Sequence, residues 1–196
     1  MTKVKVLVQG YASKKEGRAS STSALIIEDD IKVIVDPGID REKLLNSLKK
    51  ENLSAQDINY VVLTHTHVDH AALTGIFENA KIVDNSEIST FEGGFRENPE
   101  AKIPSTNIQI IQTPGHDQFH CSLLVKTDDM GKVVVAGDLF WWWDKEEQKT
   151  DQESLLNRQD PYVKDKKAID ESRKKILDIA DYIIPGHGKM FKVERE

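Results

Sequence analysis

The chain has 196 residues, 38% of them hydrophobic and 31% charged, with a formal net charge of −6. That length suits one domain able to bury a core unaided, and the apolar content excludes a mainly disordered chain. The single cysteine, Cys121, excludes an intrachain disulfide, the acidic balance argues against non-specific nucleic-acid binding, and no apolar run approaches the roughly 18 residues that span a membrane.

The predicted elements begin with alternating Val4, Val6 and Val8, a strand rather than the basic, apolar and small-residue order of a secretory leader. With the lone cysteine, this leads to the expectation of a cytoplasmic protein without membrane contact. A polar segment, Ala12 to Thr22, reads as a loop too rich in small residues to pack. The strands Ala24–Ile27 and Val33–Val35 follow, closed by the breaker Asp36-Pro37-Gly38. Asp40 is placed to cap a helix with Leu44, Leu45 and Leu48 on one face. Next come the strand Tyr60–Leu63, a short helix over 71–77, the strand Lys81–Val83 and a loop over 85–107. Strands resume at Ile108–Ile111, Ser122–Val125 and Val133–Val135. Residues 144–167 are polar and read as a solvated face. A helix through Ile169, Ile176, Ile179 and Ala180, a strand Tyr182–Ile184 and a Pro185–Gly188 turn close the chain. With no repeat or linker, residues 1–196 are read as one mixed α/β domain.

The histidines carry the chemistry. His65-Thr66-His67-Val68-Asp69-His70 directly follows an apolar strand, at the strand end where α/β sheets place ligand crevices. Residues two apart in extended chain point the same way, so His65 and His67 converge on one point, while the turn after them aims Asp69 and His70 at a second. Imidazole suits zinc, iron and related divalent ions, and carboxylate completes a harder site. His116, Asp138 and His187 each follow an apolar strand and a glycine, as backbone brought close to a shared centre requires. Five histidines and two aspartates suit two ions.

These residues, together with Thr113-Pro114-Gly115-His116, Gly137-Asp138 and Gly186-His187-Gly188, resemble the metallo-β-lactamase superfamily over most of the chain. Gly10-Tyr11-Ala12, Ser20–Ser23, Val134–Phe140 and Ser172–Lys175 add a resemblance to its metallo-β-lactamase domain-containing protein 1 group. The resemblance implies an αββα sandwich, two mixed β-sheets flanked by helices. It implies His65, His67 and His116 on a first metal, Asp69, His70 and His187 on a second, and Asp138 bridging them. The metals expected are two divalent ions, zinc first, with iron or manganese as alternatives. An aspartate at position 138, where antibiotic-degrading relatives often carry cysteine, points to ester, thioester, lactone or phosphodiester substrates. The expected activity is hydrolysis of a small ester, thioester or lactone by a metal-bridging hydroxide, with Asp69 as the catalytic residue that orients it. An RNA phosphodiesterase is the alternative, followed by an iron-dependent sulfur dioxygenase and a non-catalytic metal-bound scaffold.

The remaining candidates carry weaker signals. His120 is read as a packing or solvent-facing histidine, with donation to a leaving group or hydrogen bonding behind the ligands as the functional alternative, and Cys121 as a small core residue. Trp141-Trp142-Trp143 cannot all face one core, so pocket wall or homodimer contact is expected of at least one. Lys14, Lys15 and Arg18 read as a solvated hairpin tip, with reception of an anionic small molecule as the functional alternative.

Overall fold

A computed structural model describes residues 1–194, so the last two residues of the expected 1–196 domain lie outside the described residues. In chain order the first half contains β1 (Thr2–Val8), β2 (Tyr11–Ser13), β3 (Arg18–Ser20), β4 (Ser23–Glu28), β5 (Ile31–Val35), α1 (Arg41–Lys50), β6 (Tyr60–Val62), α2 (Val68–Ala71), β7 (Lys81–Val83), β8 (Glu87–Ser89) and β9 (Phe95–Glu97). The second half contains β10 (Gln109–Gln112), β11 (Cys121–Thr127), β12 (Gly131–Trp141), α3 (Gln152–Leu156), α4 (Lys166–Ile179), β13 (Tyr182–His187) and β14 (Phe191–Lys192).

Seven strands form one sheet in the order β1-β4-β5-β6-β7-β8-β9, five form a second in the order β10-β11-β12-β13-β14, and β2-β3 is a separate hairpin. Parallel pairing of β5 with β6, β6 with β7, and β12 with β13 makes both large sheets mixed. Strand alternation assigns the layers. Ala24, Ile26, Val33, Val35, Val62, Val125 and Val135 meet between the sheets, whereas Leu25, Ile34 and Val61 face outward onto Leu44 and Leu48 of α1. On the far side Val134, Ala136 and Ile183 pack on Ile169, Ile176 and Leu177 of α4. The architecture is the expected αββα sandwich, and its central strands read as unbroken apolar runs because both faces are covered.

The two long helices follow from local chemistry. Asp40 accepts the Lys43 amide at the start of α1, and Lys49 and Lys50 occupy its last turn, where the helix dipole favours cations. In α4, Asp165 accepts the Ala168 amide, and Ile169, Ser172, Arg173, Ile176 and Leu177 make one buried stripe. Truncating Leu44 or Leu48 to alanine would cost about 2–5 kcal/mol each.

Four local expectations are corrected. The segment Ala12–Thr22 packs: it contains the β2–β3 hairpin, and Ser20, Ser21, Thr22 and Ser23 are buried. Burial is tolerated because the hydroxyls find partners; Ser23 donates to Asp36 O at 2.7 Å and Thr22 Oγ1 accepts from Gly10 N at 2.9 Å. Within 85–107, turn-rich sequence around Gly93 closes the β8–β9 hairpin, which extends the first sheet. The short helix starts at Val68 and ends at Ala71, before a separate single turn over Thr74–Ile76. Residues 144–167 include α3 with buried Leu155, and buried Asp160 beyond it.

Candidate metal centre

The seven residues singled out by type and spacing come from four places in the chain and meet at one edge of the sandwich. His65 lies just past β6, His67 immediately precedes α2, and α2 carries Asp69 and His70 in a single turn. His116 follows β10, and His187 is the last residue of β13. Asp138 lies inside β12 rather than at its end; pairing with β13 shifts register on both sides of Gly137, and this break turns the carboxylate toward the histidines. Ligand-type atoms of His65, His67, His116 and Asp138 all lie within 4.8 Å of one another, as do those of Asp69, His70 and His187. Asp138 stands between the groups. Its Oδ2 is 3.4 Å from His116 Nε2 and 3.9 Å from His65 Nε2, and its Oδ1 is 3.2 Å from His70 Nε2 and 3.5 Å from His187 Nε2.

Close backbone approach requires two of the glycines. A Cβ on Gly186 would fall on Asp138 Oδ1, and one on Gly137, already at φ +51°, would lie 2.5 Å from Thr64 Oγ1.

Neighbouring acceptors fix which ring nitrogen each histidine turns inward. His70 Nδ1 donates to Asp36 Oδ2 at 2.9 Å, and His116 Nδ1 donates to Asp160 Oδ2 at 2.7 Å. His187 Nδ1 donates to the carbonyls of Tyr11 and Ser20 at 3.0 and 3.1 Å. Thr64 Oγ1 gives its own proton to Asp36 Oδ2, so it accepts from His65 Nδ1 at 3.1 Å. In neutral form all four rings therefore present an Nε2 lone pair to the centre. His67 presents Nδ1 instead, 2.9 Å from His65 Nε2 and 3.2 Å from His116 Nε2.

This donor set fits divalent cations. Three ring nitrogens converge beside a carboxylate, and the buried atoms His70 Nε2 and Asp138 Oδ1 have no hydrogen-bond partner among the described residues, an arrangement that costs free energy unless a cation satisfies it. The charges agree. Burial pushes the Asp138 carboxyl upward, but His70 and His187 outweigh it and hold it well below the ordinary carboxylate range. Burial disfavours protonated His70, yet Asp138 and Asp36 together hold its pKa well above the usual value. Burial also opposes protonation of His187, which Asp138 and Asp69 nonetheless raise to about 9. Burial together with the neighbouring His70 holds His65 well below the usual range. One side of the centre thus favours bare imidazole and the other has negative charge to spare.

Above these residues opens a cavity of about 350 Å³, within the size range of small-molecule sites. Trp141, Trp143 and Tyr162 line it, with His67, Asp69, His116, Asp138 and His187 at its floor; His65 and His70 are not among the lining residues. Trp142 faces the other way and packs in the core against Phe191, so the three indoles alternate as extended backbone dictates. Lys14, Lys15 and Arg18 are not among the lining residues; Arg18 pairs with Glu16 at 2.6 Å. His120 is buried behind His65, ring centroids 5.2 Å apart, with Nδ1 2.9 Å from Thr113 Oγ1; burial lowers its pKa to about 3 and keeps it neutral. Cys121 is a core residue between the sheets, and burial pushes its thiol pKa up.

Sequence reasoning missed two residues. Asp36, read only as part of a strand-ending breaker, accepts from Thr64 N, Thr64 Oγ1 and His70 Nδ1. Its place at an apolar strand end beside Pro-Gly, like that of Asp138 after glycine, was the available signal. Asp160, within the stretch expected to be a solvated face, holds His116 from 44 residues away and has no local signature.

Comparison with known proteins agrees with this geometry. A family model described as the metallo-beta-lactamase superfamily matches residues 17–102. Metallo-beta-lactamase domain-containing protein 1 of Xenopus laevis is 33% identical over 201 residues, covering 97% of this chain and 81% of the relative. An N-acyl homoserine lactonase of a Bacillus species is 28% identical over 113 residues, covering 50% of this chain and 45% of the relative. A Thermotoga maritima crystal structure assigned to the metallo-beta-lactamases superposes with a TM-score of 0.72 at 20% identity, covering 97% of this chain and 99% of that one. With 97% of this chain aligned to 81% of the relative and the fold matched, this chain belongs to the metallo-beta-lactamase superfamily, a family of metal-dependent hydrolases.

Proposed function

We propose that the protein is a dinuclear hydrolase of small esters, thioesters or lactones, cytoplasmic, with zinc as the first metal and iron or manganese as alternatives. The observation that carries this reading is the convergence of four Nε2 atoms, one Nδ1 and two carboxylates in two adjoining groups, five of whose seven residues line one cavity. His65, His67 and His116 would hold one cation, Asp69, His70 and His187 the other, and Asp138 both. Bound there, the cations would supply a water acidified toward neutral pH and Lewis-acid polarisation of the carbonyl under attack.

The chain's own residues supply orientation. Asp69 lines the cavity, is half-buried and lies 3.3 Å from His187 Nε2 through its Oδ2; its carboxylate orients the attacking water and takes up its proton. The carbonyls of Tyr11 and Ser20 lock His187, and the Asp36 and Asp160 carboxylates lock His70 and His116, so the floor needs little rearrangement during reaction. The name of the Bacillus relative supports the lactone class. RNA is a weaker fit, since among the described residues no lysine or arginine lines this cavity and phosphate contacts carry most affinity for nucleic acid.

The test is elemental analysis of protein purified without added metal, joined to assays on a thioester, a lactone and single-stranded RNA. We expect two divalent ions per chain, hydrolysis of a small substrate that stops on chelation and returns with zinc, and a folded but inactive His67→Ala variant. Activity indifferent to chelation or to His67→Ala, or cleavage of RNA alone, overturns the proposal.

A further inference from the structure

The chemistry above uses the floor of the cavity; the walls are of another kind. Trp141 and Trp143 meet edge to face with ring centroids 4.8 Å apart, and Tyr162 stands 5.9 Å from the first and 6.4 Å from the second. This cluster spans the site. The Trp141 ring is 6.1 Å from that of His187, while the Tyr162 amide donates to Asp160, the residue that holds His116. Ile39 and Val68 also line the cavity, and with Tyr162 they are among the exposed large apolar side chains, at 43%, 70% and 52% of their full surface. Exposed apolar groups gathered around one opening mark a surface that gains from being covered.

Two cations, Arg158 and Lys43, are engaged elsewhere. Arg158 pairs with Glu146 through two bonds of 3.0 and 2.9 Å, donates to Trp141 O, and lies over the Trp142 ring on the core side. Lys43 is tied to Asp40 at 2.8 Å and stands over Tyr11. A charged group laid against the faces of these rings would lose its water there. A flat apolar group would bury its faces and stack on the indoles.

We propose that Trp141, Trp143 and Tyr162 form a subsite for an uncharged aromatic group carried by the substrate, so that the natural substrate is a neutral aryl-bearing carbonyl compound rather than a polyanion. The turnover arm of the test rests on the hydrolase reading; the binding arm does not.

For binding, zinc-loaded protein labelled with ¹⁵N is titrated with phenylacetamide, and with acetamide as the small probe. The chain has three tryptophans, so the indole N–H signals contain their own control. The Trp141 and Trp143 signals should move with phenylacetamide and barely with acetamide, while that of Trp142 stays still. For turnover, ethyl phenylacetate, ethyl acetate and ethyl hydrogen succinate are compared. The aryl ester should exceed the acetate by about tenfold in kcat/KM, and Trp143→Ala should remove most of that ratio through KM. Because Trp143 is only half-buried, the variant should fold, and a Tyr162→Ala variant provides a second, more exposed probe. Indole signals that ignore phenylacetamide, preference for the succinate ester, or a ratio unmoved in both variants overturns the subsite. Shifted indoles with no ester hydrolysed would keep the subsite and sink the hydrolase reading instead.

Discussion

The four candidate ligand residues of the segment His65–His70 and the three from the second half of the chain are held in place by different means. In the first group the supports sit at neighbouring strand ends. Thr64 adjoins His65, and Asp36, ending β5 beside β6, accepts from both Thr64 and His70. In the second group every support is remote. His116 depends on Asp160, Ser172 Oγ donates to Pro114 O at 2.8 Å, and the Arg173 guanidinium donates to Leu139 O at 3.0 Å and to Arg158 O. Helix α4 therefore works as a clasp across the strand of Asp138 and the loop of His116. The lesson is that a compact metal motif brings its own scaffold, whereas scattered ligands must borrow one.

The largest test of that contrast is Arg173→Met. Arg173 is fully buried, and burial lowers its pKa to about 10, so it is still charged at neutral pH. Methionine fills similar space but leaves two interior carbonyls without donors, a loss of about 3 kcal/mol in denaturant unfolding. Bound metal should fall together with stability. If stability drops while metal binding at both groups is untouched, α4 is not the clasp.

Asp160→Asn sharpens the comparison, since it keeps the side-chain shape and removes the charge on His116. The expectation is a weakening of metal affinity by about 10–100-fold, measured by competition with a chromogenic chelator, and a melting temperature close to that of the parent. Unchanged affinity would show that His116 needs no borrowed support.

The smallest effect is expected in the first half, from Asp40→Ala. Loss of this helix cap should cost about 1 kcal/mol and leave metal affinity as it was. Hydrogen bonding from Lys43 holds the Asp40 carboxyl below its ordinary value of 3.8. The cap's contribution is therefore complete above that value and disappears as pH falls through the lower folded-state pKa. Parent and variant should converge in acid unfolding curves; a gap that widens with acidity contradicts this sign.

How far the sequence could be read follows the same division. The layers were legible because Ala24–Ile27, Val33–Val35 and Val133–Val135 are apolar on both faces, and the Asp40 cap marked α1 correctly. The donor residues stood out because His65–His70 is dense and the other three follow strands and glycines. What could not be read was set by distance or compensation. Ser20–Ser23 look like solvent-loving residues until their partners Asp36 and Gly10 are in place. Asp160 lies among charges that are mostly solvated, and nothing nearby distinguishes it. The direction of the three indoles was fixed only when β12 was seen to continue through Trp141.

His187 is gripped by carbonyls 176 and 167 residues earlier in the chain, and the Thr22 amide donates to Gly186 O. Such long-range closures form late in folding. A nascent chain whose β13 is still inside the ribosome tunnel lacks the seventh candidate donor and the grip that aims it, however well its leading half has settled. The complete donor set therefore exists only once β13 has docked against both β12 and the β2–β3 hairpin.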